Sequence, residues 1–372
     1  MMATRYGMVP RPLAQLPWRI MLFVLAIGGF GLVVLYSAAG GHLYPWALVQ
    51  GVRLLVFLAG AIVLSRIPER YFGTAAFPIY GILIVMLVLV ELIGAVRGGG
   101  QRWLDIGILR LQPSELMKLS IVLAVAKFYD MLPPNETRRF GAIWPAAVLI
   151  GLPAALVMKQ PDLGTALMIC AGGGTVMFLA GVPLRLFVGG ALALAAAVPL
   201  AINFLLHGYQ KNRILVFLDP ESDPLGTGYH ISQSKIAIGS GGIFGKGFLN
   251  GTQSHLDYLP EGHTDFALAT MMEEWGLIGG LLLIGAFFVI VQWGISVAMR
   301  AQSRFAKLTA AGLTATIFYY FSINMAMVMG LAPVVGVPLP LISWGGSSVM
   351  TFMLCLGILM AIERQNRGVV RF

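Results

Sequence analysis

Ten stretches of this chain are apolar for long enough to cross a bilayer, and no motif constrains the fold as strongly. The run 20–36 reads IMLFVLAIGGFGLVVLY without a charge. A spanning helix needs about 20 such residues, and hydrocarbon offers the backbone no partner outside the segment itself. Strands of a membrane barrel would alternate apolar and polar residues, whereas these runs are continuous, so helices are expected. Composition agrees. Hydrophobic residues make up 58% of the 372 and charged ones only 11%, against about 25% charged in soluble domains. The expectation is a single all-α polytopic membrane domain over 1–372, with spans at 19–39, 46–65, 77–93, 114–130, 142–158, 163–181, 186–206, 273–299, 306–330 and 346–363. One connection is long, about 207–272, between spans seven and eight. Loops of that length are uncommon unless functional or disordered.

Basic residues set the orientation. With both termini inside, fifteen Lys and Arg fall on the cytoplasmic side and eight on the other, half of those in the long loop. The net charge of +9 therefore reports topology and gives no reason to expect nucleic acid as a partner. The basic start (Arg5, Arg11, Arg19) and Ser37-Ala38-Ala39 resemble a signal sequence, but the apolar run is too long for one, so an uncleaved first span is expected. Cys170 and Cys355 lie inside apolar runs and suggest neither a disulfide nor a metal site. All five histidines and Asp265 fall outside the cytoplasm, where no nucleoside triphosphate is available. That removes SGGIFGKG (240–247) as a phosphate loop, which also lacks the leading Gly and closing Ser or Thr.

Five clusters then collect at the outer face. In GGGQRWLDIGILRLQPSELMK (98–118), Arg102 and Trp103 precede a helix start at Pro113, and Glu115 and Lys118 share one face of that helix. This is either an interfacial ion pair with an interfacial Trp, or a cationic and aromatic lip for an anionic, sugar-bearing lipid. KQPDLGT (159–165) places Lys159 and Asp162 about a proline. YQKNRILVFLD (209–219) carries Tyr209, Lys211 and Arg213 ahead of an amphipathic stretch. Gln233, Ser234 and Lys235 lead into a glycine-rich segment that ends in His255-x-Asp257 and His263-x-Asp265, a weak metal-like spacing. The charge-free, Pro/Gly-rich segment 331–348 reads as a re-entrant or cavity-lining loop.

QPSELMK (112–118), KQPDLGT (159–165), LPEGHTD (259–265) and PVVGVPLPLISWGGSS (333–348) together resemble the SEDS family (shape, elongation, division and sporulation). GKG at 245–247 and GTQS at 251–254 look like its RodA-type elongation members rather than FtsW-type division members. Trp344, where Tyr is usual, and Ala267-Leu268 depart from the pattern without removing an ionisable group. The resemblance implies a peptidoglycan glycosyltransferase that polymerises lipid II at the outer face of the bacterial cytoplasmic membrane and releases undecaprenyl diphosphate. It implies a class B penicillin-binding protein and other elongation-complex proteins as partners. The family's essential aspartate maps onto Asp265, the expected general base. Arg102, Trp103, Glu115, Lys118, Lys159, Asp162, Arg213, Lys235, His263 and Ser343 are the expected substrate-binding residues. The resemblance implies no definite cofactor; a divalent cation (Mg or Mn) could share the diphosphate with them. A lipid II flippase is the rival reading, supported by charges inside spans (Arg53, Glu115, Lys118).

Overall fold

The computed structural model describes residues 16–97, 100–106, 109–204, 226–256, 258–259 and 261–369. The helices are α1 (Trp18–Ala38), α2 (Trp46–Leu64), α3 (Glu69–Ile93), α4 (Pro113–Met131), α5 (Phe140–Lys159), α6 (Leu163–Leu179), α7 (Leu184–Phe204), α8 (Thr227–Gly241), α9 (Thr252–His255), α10 (Ala267–Arg300), α11 (Arg304–Val328) and α12 (Gly346–Val369). Each expected span falls on a helix. Seven of the helices are long and apolar enough to cross a membrane: α1, α2, α3, α5, α10, α11 and α12. Their outward faces carry large exposed apolar side chains, among them Leu22, Leu55, Ile82 and Leu282. A patch this extensive would be an aggregation hazard in water but is what a lipid-facing surface requires.

Three features differ from expectation. The chain is not wholly helical: β1 (Ala95–Arg97), β2 (Gly100–Ile106) and β3 (Leu109–Leu111) form an antiparallel sheet in the order β1-β2-β3. Alternation in QRWLDI supports it, since Leu104 is buried and its neighbour Asp105 exposed. Second, α3 starts at Glu69 and carries Pro78 inside it, because packed neighbours in a membrane bundle tolerate an interior proline. Third, the long connection contains α8, which packs on α10 and α11.

The centre of the bundle is α4, buried on nearly every side from Pro113 to Ala126. It packs against α3, α5, α6, α11 and α12. Because it touches protein rather than lipid, it can hold Glu115 and Lys118. The segment 331–345 is irregular yet buried along 339–343, with Val337, Leu339, Leu341 and Ile342 at most 2% exposed. Its backbone therefore needs internal partners. Asn324 Nδ2 donates to Val337 O at 2.8 Å, Gln50 Nε2 to Ser343 O at 2.9 Å, and the Leu339 amide to Ser343 Oγ at 3.0 Å. Two glycines give it room: a Cβ on Gly31 would stand 2.0 Å from Leu341 O, and one on Gly164 would stand 2.5 Å from Val335 O.

The helix α10 is two helices joined at Gly276, whose φ of 64° and ψ of −161° are not helical. The break would strand backbone groups on both sides, and the glycine-rich loop 242–247 takes them up. Lys246 and Gly247 amides donate to the carbonyls of Glu273 and Glu274, both at 3.0 Å, while Leu277 and Ile278 amides donate to Gly242 and Ile243 at 2.9 and 3.2 Å. The discarded phosphate-loop match is thus a structural splice.

Candidate active site

Asp265 lies in the turn that leads into α10, half-buried. Asn324 Nδ2 of α11 donates to its carbonyl at 2.9 Å. A Cβ built on Gly336, a position at φ 69°, would stand 3.6 Å from Asp265 Oδ2. The carboxylate thus lies over a position with no side chain, in the loop 331–345. Asn324 bonds both segments and was not anticipated from the sequence. Its signal was there: a single amide in an otherwise apolar run.

Two residues earlier, the His263 ring stacks on Trp46 of α2, with centroids 3.9 Å apart and planes at 9°. The His263 carbonyl accepts from the Trp344 amide at 2.8 Å. Trp344 in turn carries Arg53 over its ring at 5.1 Å. Burial lowers the His263 pKa, with the Glu261 carboxylate opposing that shift. A cavity of about 280 Å³ opens beside these residues, lined in part by Trp46, Ser254, Glu261, His263 and Thr270. Ser343, expected at the substrate, is instead fully buried with its hydroxyl engaged by Leu339, so it shapes the loop.

Glu115 and Lys118 form the pair their spacing predicts, at 2.5 Å, 5% and 1% exposed. Tyr320 of α11 completes a triad: it donates to Glu115 Oε2 and stands 3.1 Å from Lys118 Nζ. Tyr320 and Asn324 are one turn apart on α11, about 6 Å along its axis. The triad therefore lies directly behind the residue that anchors Asp265.

The remaining expected residues gather elsewhere. Arg102 donates to the carbonyls of Gln160 (3.1 Å) and Pro161, bracing the α5–α6 turn. Asp162 caps α6 through the Thr165 amide at 3.1 Å. Lys159 pairs with Glu91 at 3.6 Å, mostly exposed. Trp103 is half-exposed on β2 opposite Ala95. Lys235 lies over Gly330, where its ammonium meets the negative end of α11. Arg213 falls outside the described residues. Among the described residues no group of three or more His, Cys, Asp or Glu could hold a metal; Asp257 of the metal-like spacing lies outside them.

Comparison with known proteins agrees with this architecture. Residues 17–368 match the family described as cell cycle protein, FtsW/RodA/SpoVE. The chain is 44% identical over 350 residues to the peptidoglycan glycosyltransferase MrdB of Escherichia coli (strain K12), covering 94% of this chain and 93% of that one. It is 39% identical over 317 residues to MrdB of Helicobacter pylori (strain ATCC 700392 / 26695), covering 84% and 82%. Among solved structures, a chain of a peptidoglycan synthase complex that coordinates polymerization and crosslinking superposes with a TM-score of 0.81 at 31% identity, covering 94% of this chain and 98% of that one. The rod shape determining protein RodA of Thermus thermophilus superposes with a TM-score of 0.71 at 28% identity, covering 94% and 97%. This multi-pass membrane protein belongs to the FtsW/RodA/SpoVE family of cell cycle proteins.

Proposed function

We propose that the protein is a RodA-type peptidoglycan glycosyltransferase, spanning the cytoplasmic membrane ten times with both termini inside. It polymerises lipid II at the outer face and works beside a class B penicillin-binding protein. The observation that carries this reading is the placement of Asp265: its backbone anchored by Asn324, its carboxylate over Gly336, and its position two residues after His263, which lines a cavity. In the reaction, the acceptor sugar hydroxyl gives its proton to the Asp265 carboxylate as its oxygen bonds the donor anomeric carbon. The bond from that carbon to the diphosphate oxygen breaks with its electron pair, the centre inverts from α to β, and undecaprenyl diphosphate leaves. Outer-face cations balance the departing charge. Two of the charges that favoured a flippase, Glu115 and Lys118, are engaged with each other and with Tyr320, and the third, Arg53, lies over the Trp344 ring.

The test is purified protein with labelled lipid II. Wild type is expected to yield glycan polymer and undecaprenyl diphosphate. Asp265→Asn keeps the shape and removes the proton acceptor, so its rate should fall by about 10²–10⁴-fold in a protein that still folds. Polymer at a near-normal rate from Asp265→Asn excludes the base assignment.

A further inference from the structure

Glu273 is wholly buried inside a membrane helix, and the proposed chemistry does not use it. An ionisable group in such a place is costly and marks function by default. Its carboxylate is fully engaged. Oε1 accepts from Lys246 Nζ at 2.7 Å, Thr252 Oγ1 at 3.1 Å and the Gln253 amide at 2.9 Å; Oε2 accepts from the Ser254 amide at 3.4 Å. All four donors belong to the loop between α8 and α10, and none to the helical bundle.

The backbone tells the same story. The short helix Ala267–Trp275 follows directly on Asp265 and ends at the non-helical Gly276, so no continuous helix fixes it to the long half of α10 below. The 242–247 splice joins the halves instead, and it is tight. A Cβ on Gly245 would stand 2.0 Å from Glu274 O, one on Gly241 would stand 2.2 Å from Met272 O, and one on Gly276 would stand 2.4 Å from the Gly245 nitrogen. The half-helix that follows Asp265 is thus held in register by this loop, with a further tie from the Ser37 hydroxyl of α1 to Glu274.

We infer that Glu273 is a positioning residue for Asp265: with Lys246 it pins the half-helix 267–275 to the 245–254 loop and so sets the carboxylate over Gly336. Two turns of helix separate Glu273 from Asp265, so Glu273 acts only through the backbone between them. Displacement of a reacting group by about 1 Å can cost on the order of 10²-fold in rate. Because Gly276 breaks the helix, the half-helix can shift as a unit once its loop contacts are lost. This inference rests on the reading of Asp265 as the base.

The experiment compares wild type, Asp265→Asn, Glu273→Gln and Lys246→Met for lipid II polymerisation across pH, with melting temperatures in the same detergent. Wild-type activity that is lost in Asp265→Asn secures the underlying reading, whatever Glu273 does. Glu273→Gln keeps the volume but turns an amide towards Ser254 and removes the charge facing Lys246. The expected result is a loss of about 10–10²-fold, a KM for lipid II within about two-fold of wild type, and an acid limb of the pH–rate profile displaced from the wild-type position. Lys246→Met should show the same displacement with a smaller loss. A purely structural role would scale the whole profile down in proportion to lost folded protein and leave the limb in place. That result, or wild-type rates in Glu273→Gln, overturns the inference. If Glu273→Gln does not fold, Lys246→Met decides alone, because Glu273 there keeps its hydroxyl and amide partners.

Discussion

Within the site, single residues divide into those that react and those that hold them. The Glu115–Lys118–Tyr320 triad belongs to the second group. Each member is buried against the other two, and removing one partner leaves an uncompensated charge that typically costs about 3–5 kcal/mol. Lys118→Ala should therefore melt well below wild type, and adding Glu115→Ala should recover part of the loss rather than deepen it. Additive losses in thermal melts of the purified variants would show that the pair is not coupled. His263 adds a pH dependence. Burial holds its pKa below the ordinary value, more than Glu261 raises it. As pH falls through about 6.5, the unfolded chain binds the proton before the folded one does, so stability declines on acidification. Carboxylates contribute in the same direction, so the informative quantity is a difference: His263→Gln should lose less melting temperature than wild type between pH 7 and 5. Identical slopes would remove His263 from the effect.

The elements show how far sequence reading reaches. Each continuous apolar run falls on a helix, because hydrocarbon leaves a chain few alternatives. The start of α3 lies eight residues before the expected span at 77, and the sheet β1-β2-β3 was not anticipated, since two of its strands have only three residues each. Glu115 and Lys118 were legible as a pair because (i, i+3) spacing is local. Tyr320 and Asn324 were not, since Glu115 is 205 residues from Tyr320 and Asp265 is 59 from Asn324. The lack of charge in 331–348 pointed to a re-entrant or cavity-lining loop, and the segment is irregular and packs inside the bundle along 339–343, but the glycines that admit it are on α1 and α6. That leads to a test. Gly31→Ala places a methyl against Leu341 O, where only backbone can yield, and overpacking of this kind costs about 1–3 kcal/mol. Gly29→Ala, with open space around it, is the control. The first should lower the melting temperature and the polymerisation rate together, while the second should alter neither. Equal behaviour of the two would mean that the loop does not depend on close approach to α1.

Across the described residues, the cations expected at the substrate are distributed more widely than their shared sign suggested. Of the cations expected at the substrate, Lys118 is committed to Glu115; for the other four, Arg102, Lys159, Arg213 and Lys235, side-chain type could not distinguish a free cation from a committed one. In the structure Arg102 braces the α5–α6 turn, Lys235 meets the end of α11, and Lys159 forms an exposed pair with Glu91. Exposed pairs contribute about 0–1 kcal/mol, so Lys159 gives up little if it leaves Glu91 for a phosphate, and equally contributes little when absent. A ligand that binds only the folded state stabilises it by mass action, about 2.7 kcal/mol at a hundred times its Kd. Undecaprenyl diphosphate should therefore raise the melting temperature of wild type. Lys159→Ala should keep nearly all of that gain, whereas alanine at all four positions should lose most of it. Undecaprenol without the diphosphate separates the contribution of the tail from that of the charge. If the quadruple variant gains as much as wild type, the four cations hold loose headgroups only and the departing diphosphate is held by other groups. A loss confined to Arg213→Ala would instead assign the diphosphate to a single guanidinium, whose planar fork can hold two phosphate oxygens at once.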